Sequence, residues 1–249
     1  MAPNVSGVSV WRMESPLHLG GRKPWLPKPT GLTAAGVAAV GSSMATLLEI
    51  HPVDPQPRLV SQVVDVLLDG GLIAYPTDAC YALGAVVGNQ HAKERILAIR
   101  QLDERHDFTL VCRDFAQLGQ FVRLSNPVFR AVKAATPGPY TFILPASPEV
   151  PRRLQHPRKR TVGVRIPEHR ITQAILAELG EPLLSSSLLL PGEEEPMALG
   201  YEVREALDHL VELVIDGDAT GCEPTTVVDF SAGSPEVVRV GSGDPARFS

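Results

Sequence analysis

Apolar positions recur at helical spacing from Pro57 to Asp69, where Leu59, Val63, Val66 and Leu67 share a face and Gly70-Gly71 ends the run. Leu72-Ile73-Ala74-Tyr75 follows as an unbroken apolar segment stopped by Pro76, the pattern of a short buried strand. The same reading predicts helices over Ala92–Gln101, Phe115–Val122, Val128–Ala135, Ile171–Leu179 and Val203–Leu210. It predicts strands over Phe108–Cys112, Tyr140–Leu144, Thr161–Arg165, Val211–Ile215, Thr226–Phe230 and Glu236–Val240. Strands alternating with helices make an α/β protein. Some connections are too short to cross between parallel neighbours, so a twisted, mixed sheet flanked by helices is expected, in one domain.

Residues 1–43 break this pattern. They hold Pro3, Pro16, Pro24, Pro27 and Pro29 among scattered Gly and Ser, with no sustained apolar period. Arg12, Arg22, Lys23 and Lys28 against Glu14 give this stretch a net charge of +3, leaving -8 for the rest of a chain that totals -5. An Arg-containing, acid-poor leader suits a transit peptide, although the prolines interrupt any amphipathic helix; the alternative is a start at Met44. Either way, a disordered extension is expected over 1–43, and a folded domain over 51–248. A chain beginning at Met44 should melt within about 1–2 °C of the full chain, because disordered ends hold few contacts. A larger drop in a thermal melt would contradict this.

Composition narrows the class. With 249 residues, 44% of them hydrophobic, the chain can bury a substantial core. Its negative balance argues against a surface made wholly for nucleic acid while leaving room for a local basic patch. No apolar run approaches the roughly 20 residues needed to cross a bilayer, so no membrane partner is expected. Cys80, Cys112 and Cys222 stand far apart, without metal-ligand spacing, which predicts buried, reduced thiols in a cytoplasmic setting and no protein-held metal. His91, His106, His156, His169 and His209 show no ligand spacing either, and most are expected at the surface. There is no Gly-x-x-x-x-Gly-Lys-Ser/Thr loop and no Gly-x-Gly-x-x-Gly. Gly241-Ser242-Gly243-Asp244 lacks the nucleophile-elbow pattern.

Four segments carry polar signal. AYPTDACYALG, residues 74–84, leaves a strand through a proline and presents Thr77, Asp78 and Tyr81, with Gly84 allowing close backbone approach. TPGPYTFIL, residues 136–144, sets a rigid Pro-Gly-Pro corner before an apolar strand. In TVGVRIPEH, residues 161–169, Arg165 is embedded among apolar strand residues, and a buried guanidinium needs an anion. That anion is either a ligand or an internal Asp or Glu. PTTVVDF, residues 224–230, offers Thr225 and Thr226 at a strand entry. Arg152, Arg153, Arg158, Lys159 and Arg160 put five cations within nine residues, which fits RNA phosphates or a solvated loop.

Taken in order, these segments resemble the YrdC/YciO family, over about His51 to Phe248. Its synthase members make threonylcarbamoyl-AMP from threonine, bicarbonate and ATP, for the modification of adenosine in transfer RNA. The resemblance implies a YrdC-like α/β fold and a pocket for threonine and nucleotide. It assigns Thr77, Arg165 and Thr225 to threonine, with Arg165 gripping the carboxylate. It assigns Arg100, Thr161, Ser187 and Arg239 to nucleotide. Magnesium is implied only as part of the ATP substrate complex, with no tightly bound cofactor.

The departures point to the YciO branch. Where synthases carry a Lys-x-Arg pair, this chain has Arg100 and Leu102, followed by a stretch two residues longer before Leu110. Where they carry Ser-x-Asn, it has Ser187 and Leu189. Leucine cannot hydrogen-bond a triphosphate, so weak or altered synthase activity is expected. The alternative is an RNA-binding protein, for transfer RNA or double-stranded RNA, that retains a nucleotide pocket without efficient catalysis.

Overall fold

The computed structural model describes residues 44–248 except 105 and 219, so the expected extension over 1–43 lies outside the described residues. Ten strands form a single mixed sheet in the order β1-β8-β2-β3-β7-β4-β6-β5-β9-β10. The strands are β1 (Thr46–Glu49), β2 (Ile73–Tyr75), β3 (Ala82–Val86), β4 (Thr109–Val111), β5 (Tyr140–Pro145), β6 (Thr161–Arg165), β7 (Leu183–Ser187), β8 (Leu213–Asp216), β9 (Thr226–Asp229) and β10 (Glu236–Arg239). The helices are α1 (Pro57–Leu68), α2 (Gln90–Arg100), α3 (Phe115–Phe121), α4 (Asn126–Ala134), α5 (Arg170–Leu179) and α6 (Gly200–Leu207). No helix among the described residues is long and apolar enough to cross a membrane.

Period-2 alternation distributes the strands between two cores. Ile73 and Tyr75 face one side while Ala74 faces the other; Leu213 and Ile215 flank Val214 in the same way. The first side is covered by α1 and α5, through Val60, Val63, Val64, Leu67, Ile171, Ile175 and Leu176. The second buries Ala92, Ile96 and Leu97 of α2 and Val203 and Leu207 of α6. It continues across β5 and β6 to Phe142, Leu144, Val162 and Val164. Fully burying each such side chain is worth about 1.5–3 kcal/mol, and their number sets the fold.

Three strands were not anticipated. β3 falls inside the segment read as a loop, and Gly84 lies within it opposite Ile73. Its hydrogen makes room for an internal ring rather than a ligand: a Cβ there would stand 2.7 Å from the Tyr75 ring. β7 (LLSSS) lies between β3 and β4, and β1 pairs in parallel with β8. The expected thiol burial holds for Cys80 and Cys112, whereas Cys222 is exposed. His91 and His209 are exposed as expected, but His106, His156 and His169 are half-buried.

Candidate functional site

Beyond β3 and β7, the sheet face that carries α1 and α5 changes character. Thr109 precedes Leu110, Thr141 and Ile143 flank Phe142, and Thr161 and Gly163 flank Val162. The apolar members of this alternation enter the core, while the small and polar ones line a cavity of about 240 Å³. Register aligns them: Ser185 opposes Thr109, Thr109 opposes Gly163, and Gly163 opposes Ile143, one row across β7, β4, β6 and β5. A Cβ on Gly163 would stand 3.2 Å from both the Phe108 carbonyl and Thr109 Oγ1, so only glycine keeps this floor flat.

Two guanidiniums close the cleft. Arg100 is the last residue of α2, where Gln101 turns into the left-handed region at φ 51°. Its Nη1 donates to Ser186 Oγ at 2.6 Å and its Nε to the Leu189 carbonyl at 3.3 Å. Arg239, on β10, donates from Nε and Nη2 to the Thr225 carbonyl at 3.1 and 2.8 Å. Its Nη2 also reaches Thr225 Oγ1 at 3.1 Å, and that hydroxyl pairs with Thr141 Oγ1 at 2.8 Å. Among the described residues neither arginine has a carboxylate in ion-pair range. Burial pushes both guanidiniums below their usual range, and Arg100 further feels the repulsion of Arg239. Asp107 and Glu194 also line the cleft, both exposed.

A second polar centre lies beside the cleft. Arg165 Nη2 donates to Asp78 Oδ1, with both side chains buried, 7% and 11% exposed. Asp78 Oδ2 and Arg165 Nε have no partner among the described residues. Thr77 Oγ donates to the Cys80 carbonyl at 2.7 Å and accepts from the amides of Ala79 and Cys80 at 3.1 and 3.3 Å. Cys80 joins the two centres: its thiol lies near Ser187 and within the fields of Arg165, Arg239 and Arg100. Burial still outweighs those cations and holds the thiol above its usual range. Tyr75, bonded to Ser185 Oγ at 2.7 Å, is pushed up to about 12 by burial and stays a neutral donor or acceptor at physiological pH.

Arg100, Thr161, Ser187, Thr225 and Arg239 thus line a single cleft. Thr77 and Arg165 stand next to it, with Thr77 holding the 77–80 turn and Arg165 paired internally. The two leucines separate. Leu189 lines the cleft. Leu102 instead packs against the core, and its amide closes α2 by bonding the Leu97 carbonyl at 2.9 Å. A hydrophobic residue just after a left-handed cap is what that helix stop requires.

The basic cluster is less uniform than its sequence. Lys159 pairs with Asp229 at 3.0 Å, and Arg153 Nη2 donates to the Gly88 carbonyl at 2.8 Å. Arg158 and Arg160 are exposed. Arg152 and Arg153 border a smaller cavity of about 210 Å³ that shares His106, Asp107, Phe108 and Leu154 with the main cleft.

Sequence reasoning passed over Thr141 and Ser186, named Asp78 only as a residue of the 74–84 segment, and named His106 only as a histidine without ligand spacing. Thr141 was legible as a polar position in an otherwise apolar strand. His106 was not: it reaches Ser186 Oγ at 3.1 Å across 80 residues of chain.

Comparison with known proteins places the chain in a family. Residues 65–241 match the Sua5/YciO/YrdC family model, described as telomere recombination. A Haemophilus influenzae protein is 48% identical over 206 residues, 82% of this chain and 100% of its own. YciO of Escherichia coli K12 is 46% identical over 205 residues, with the same coverage. The crystal structure of E. coli YciO superposes with a TM-score of 0.80, covering 83% of this chain and 100% of that one. Sua5 of P. abyssi, solved in complex with L-threonine, superposes at 0.71 with 26% identity, covering 79% of this chain and 58% of that one. With the family model matched over residues 65–241 and relatives matched over their full length, the chain belongs to the Sua5/YciO/YrdC family.

Proposed function

We propose that this protein is a YciO-type member of the threonylcarbamoyl-AMP synthase superfamily that binds threonine and an adenine nucleotide in the cleft, linked to threonylcarbamoyladenosine formation in transfer RNA, with weak or altered synthase turnover. The observation that carries this reading is the pair Arg100 and Arg239. Two partly desolvated guanidiniums face one cavity, and among the described residues neither has a carboxylate within ion-pair range, a site poised for an anion. The Thr and Ser hydroxyls between them supply further contacts to phosphate and ribose. For the amino acid, support comes from Arg165 with its unused Nε, and from the threonine complex of the Sua5 relative.

In this reaction the threonine amine captures carbon dioxide as a carbamate. A carbamate oxygen then attacks the ATP α-phosphorus and expels pyrophosphate. Magnesium arriving with ATP offsets phosphate charge. The protein contributes position and fixed positive charge rather than a covalent intermediate. Arg100 and Arg239 stabilise the phosphoryl charge, Thr161 and Ser187 orient the nucleotide, and Arg165, Thr77 and Thr225 orient threonine. The test is to incubate pure protein with ATP, threonine and bicarbonate and to follow pyrophosphate and threonylcarbamoyl-AMP. Slow but threonine-dependent formation of both products is expected; nucleotide turnover indifferent to threonine would overturn the reading.

A second reading, RNA binding without efficient catalysis, is favoured by one observation: Arg152, Arg153, Arg158 and Arg160 are all exposed, and the first two border the smaller cavity beside the cleft. Lys159 is the poorest member to mutate, because its loss strands Asp229. If Arg158 and Arg160 meet phosphates, the Arg158→Gln, Arg160→Gln variant should lower the slope of log affinity against log salt by about 1.5–2. An unchanged slope for a short RNA duplex leaves both arginines as solvated surface.

A further inference from the structure

We propose that His106 is a third anion-binding group of the cleft, donating to the same phosphoryl oxygens as Arg100. The proposal rests on the nucleotide reading above and extends it to a residue outside the resemblance. His106 sits in the stretch between α2 and β4 that runs two residues longer than the synthase pattern. It lines the cleft together with Arg100, Ser186 and Arg239. Its ring packs edge-on against Phe108, centroids 5.2 Å apart, which fixes its plane.

Hydrogen-bond accounting identifies the ring's free atom. An arginine only donates, so Arg100 Nη1 occupies a lone pair of Ser186 Oγ. The Ser186 hydroxyl proton then needs an acceptor, and His106 Nε2 at 3.1 Å is the one the structure supplies. That arrangement leaves the ring proton on Nδ1, as a second donor beside the Arg100 fork. Arg100 and His106 thus share one serine and form a two-armed receptor. It stands beside Leu189, which lines the cleft where the synthase pattern has Asn.

The charges around the ring give this receptor a pH dependence. In the empty cleft, burial and then the Arg100 guanidinium hold the imidazole below its usual range, while Asp107 and Asp103 pull the other way. Glu194 and Arg239 line the same cleft, and Glu104, Arg152 and Arg153 border the cavity behind. A bound anion adds negative charge at the ring and favours imidazolium. His106 therefore takes up a proton at Nε2 on binding; Nε2 then donates to Ser186 Oγ, and the hydroxyl turns its own proton to the bound anion. Affinity rises as pH falls through the imidazole pKa of the complex and levels off below that of the free protein. Each unit of difference between the two corresponds to about tenfold in affinity.

The test uses sulfate, which stays a dianion across this range, and AMP as the nucleotide. Histidine titrations by NMR on the full chain, from pH 5 to 8.5, should show the His106 pKa rising by about one unit when sulfate saturates the cleft. Calorimetry should show sulfate binding several-fold tighter at pH 5.5 than at pH 8, with about tenfold as the limit well below the pKa of the free protein. His106→Gln keeps a partner for Ser186 and cannot titrate, so its sulfate affinity should be weak and flat with pH. The same pH slope in the variant as in the parent overturns the proposal. If AMP binds and His106 does not move, His106 is excluded while the nucleotide reading stands. If sulfate moves His106 but AMP does not bind, His106 is an anion group and the nucleotide reading fails. If neither ligand binds, both fall.

Discussion

Replacing Arg165 by Met should destabilise the protein by about 3–5 kcal/mol, the usual consequence of leaving one member of a buried ion pair uncompensated. The reason is local. Asp78 is only 11% exposed, and its Oδ2 has no partner among the described residues. Pairing Arg165→Met with Asp78→Asn should recover much of the loss, a coupling that denaturant melts of the two single variants and the double variant would measure. The same pair bears on threonine. If Arg165 grips the amino-acid carboxylate, Asp78 competes for that guanidinium and must yield when threonine enters. Asp78→Asn is then expected to bind threonine more tightly. Arg165→Lys should stay folded, with threonine affinity lowered by about tenfold or more, because an ammonium cannot form the two-pronged contact. Calorimetry decides between the alternatives. Unchanged threonine affinity in both Asp78→Asn and Arg165→Lys returns this pair to a purely structural role.

Leu189→Asn should raise ATP-dependent formation of threonylcarbamoyl-AMP by about 10-fold or more, since a new hydrogen bond to a charged phosphate is worth about 1.5–3 kcal/mol. Leu189 lines the cleft beside Arg100, so an amide there has a phosphate to meet. Leu102→Arg is expected to behave differently, although both leucines replace polar residues of the synthase pattern. Leu102 packs against the core at the cap of α2, and an arginine there loses that packing and loosens the turn that aims Arg100. Its expected outcome is a lower melting temperature without a gain in product, and the double variant should fall short of Leu189→Asn alone. Parent activity equal to an ordinary synthase, or a Leu102→Arg variant that outperforms Leu189→Asn, would show that these positions do not limit turnover as argued.

Much of the architecture was legible from hydrophobic spacing. α1 and α5 stood out because each presents an apolar face to one side of the sheet and a polar face to water, which writes a 3.6-residue period into the chain. The strands Tyr140–Pro145 and Thr161–Arg165 stood out through their alternation and the Pro and Gly stops around them. β3 and β7 did not. ALGAV is buried on both faces of the sheet, and LLSSS is buried over most of its length, so neither alternates in the way that marks a strand. β1 is four residues long and exists by pairing with β8, more than 160 residues away.

For the site, the chain by itself determined which residue types were available: a guanidinium buried in a strand, hydroxyls at strand entries, an arginine ending α2, and leucines where a phosphate-handling set is polar elsewhere in the family. Tertiary structure decided how they are used. It paired Arg165 with Asp78, placed Leu189 in the cleft and Leu102 in the core, and brought His106 to Ser186 beside Arg100. The physical reason is that hydrophobic periodicity records only whether a side chain faces water or core. Which charge meets which depends on sheet order and register, and those bring together groups 80 to 90 residues apart in the chain.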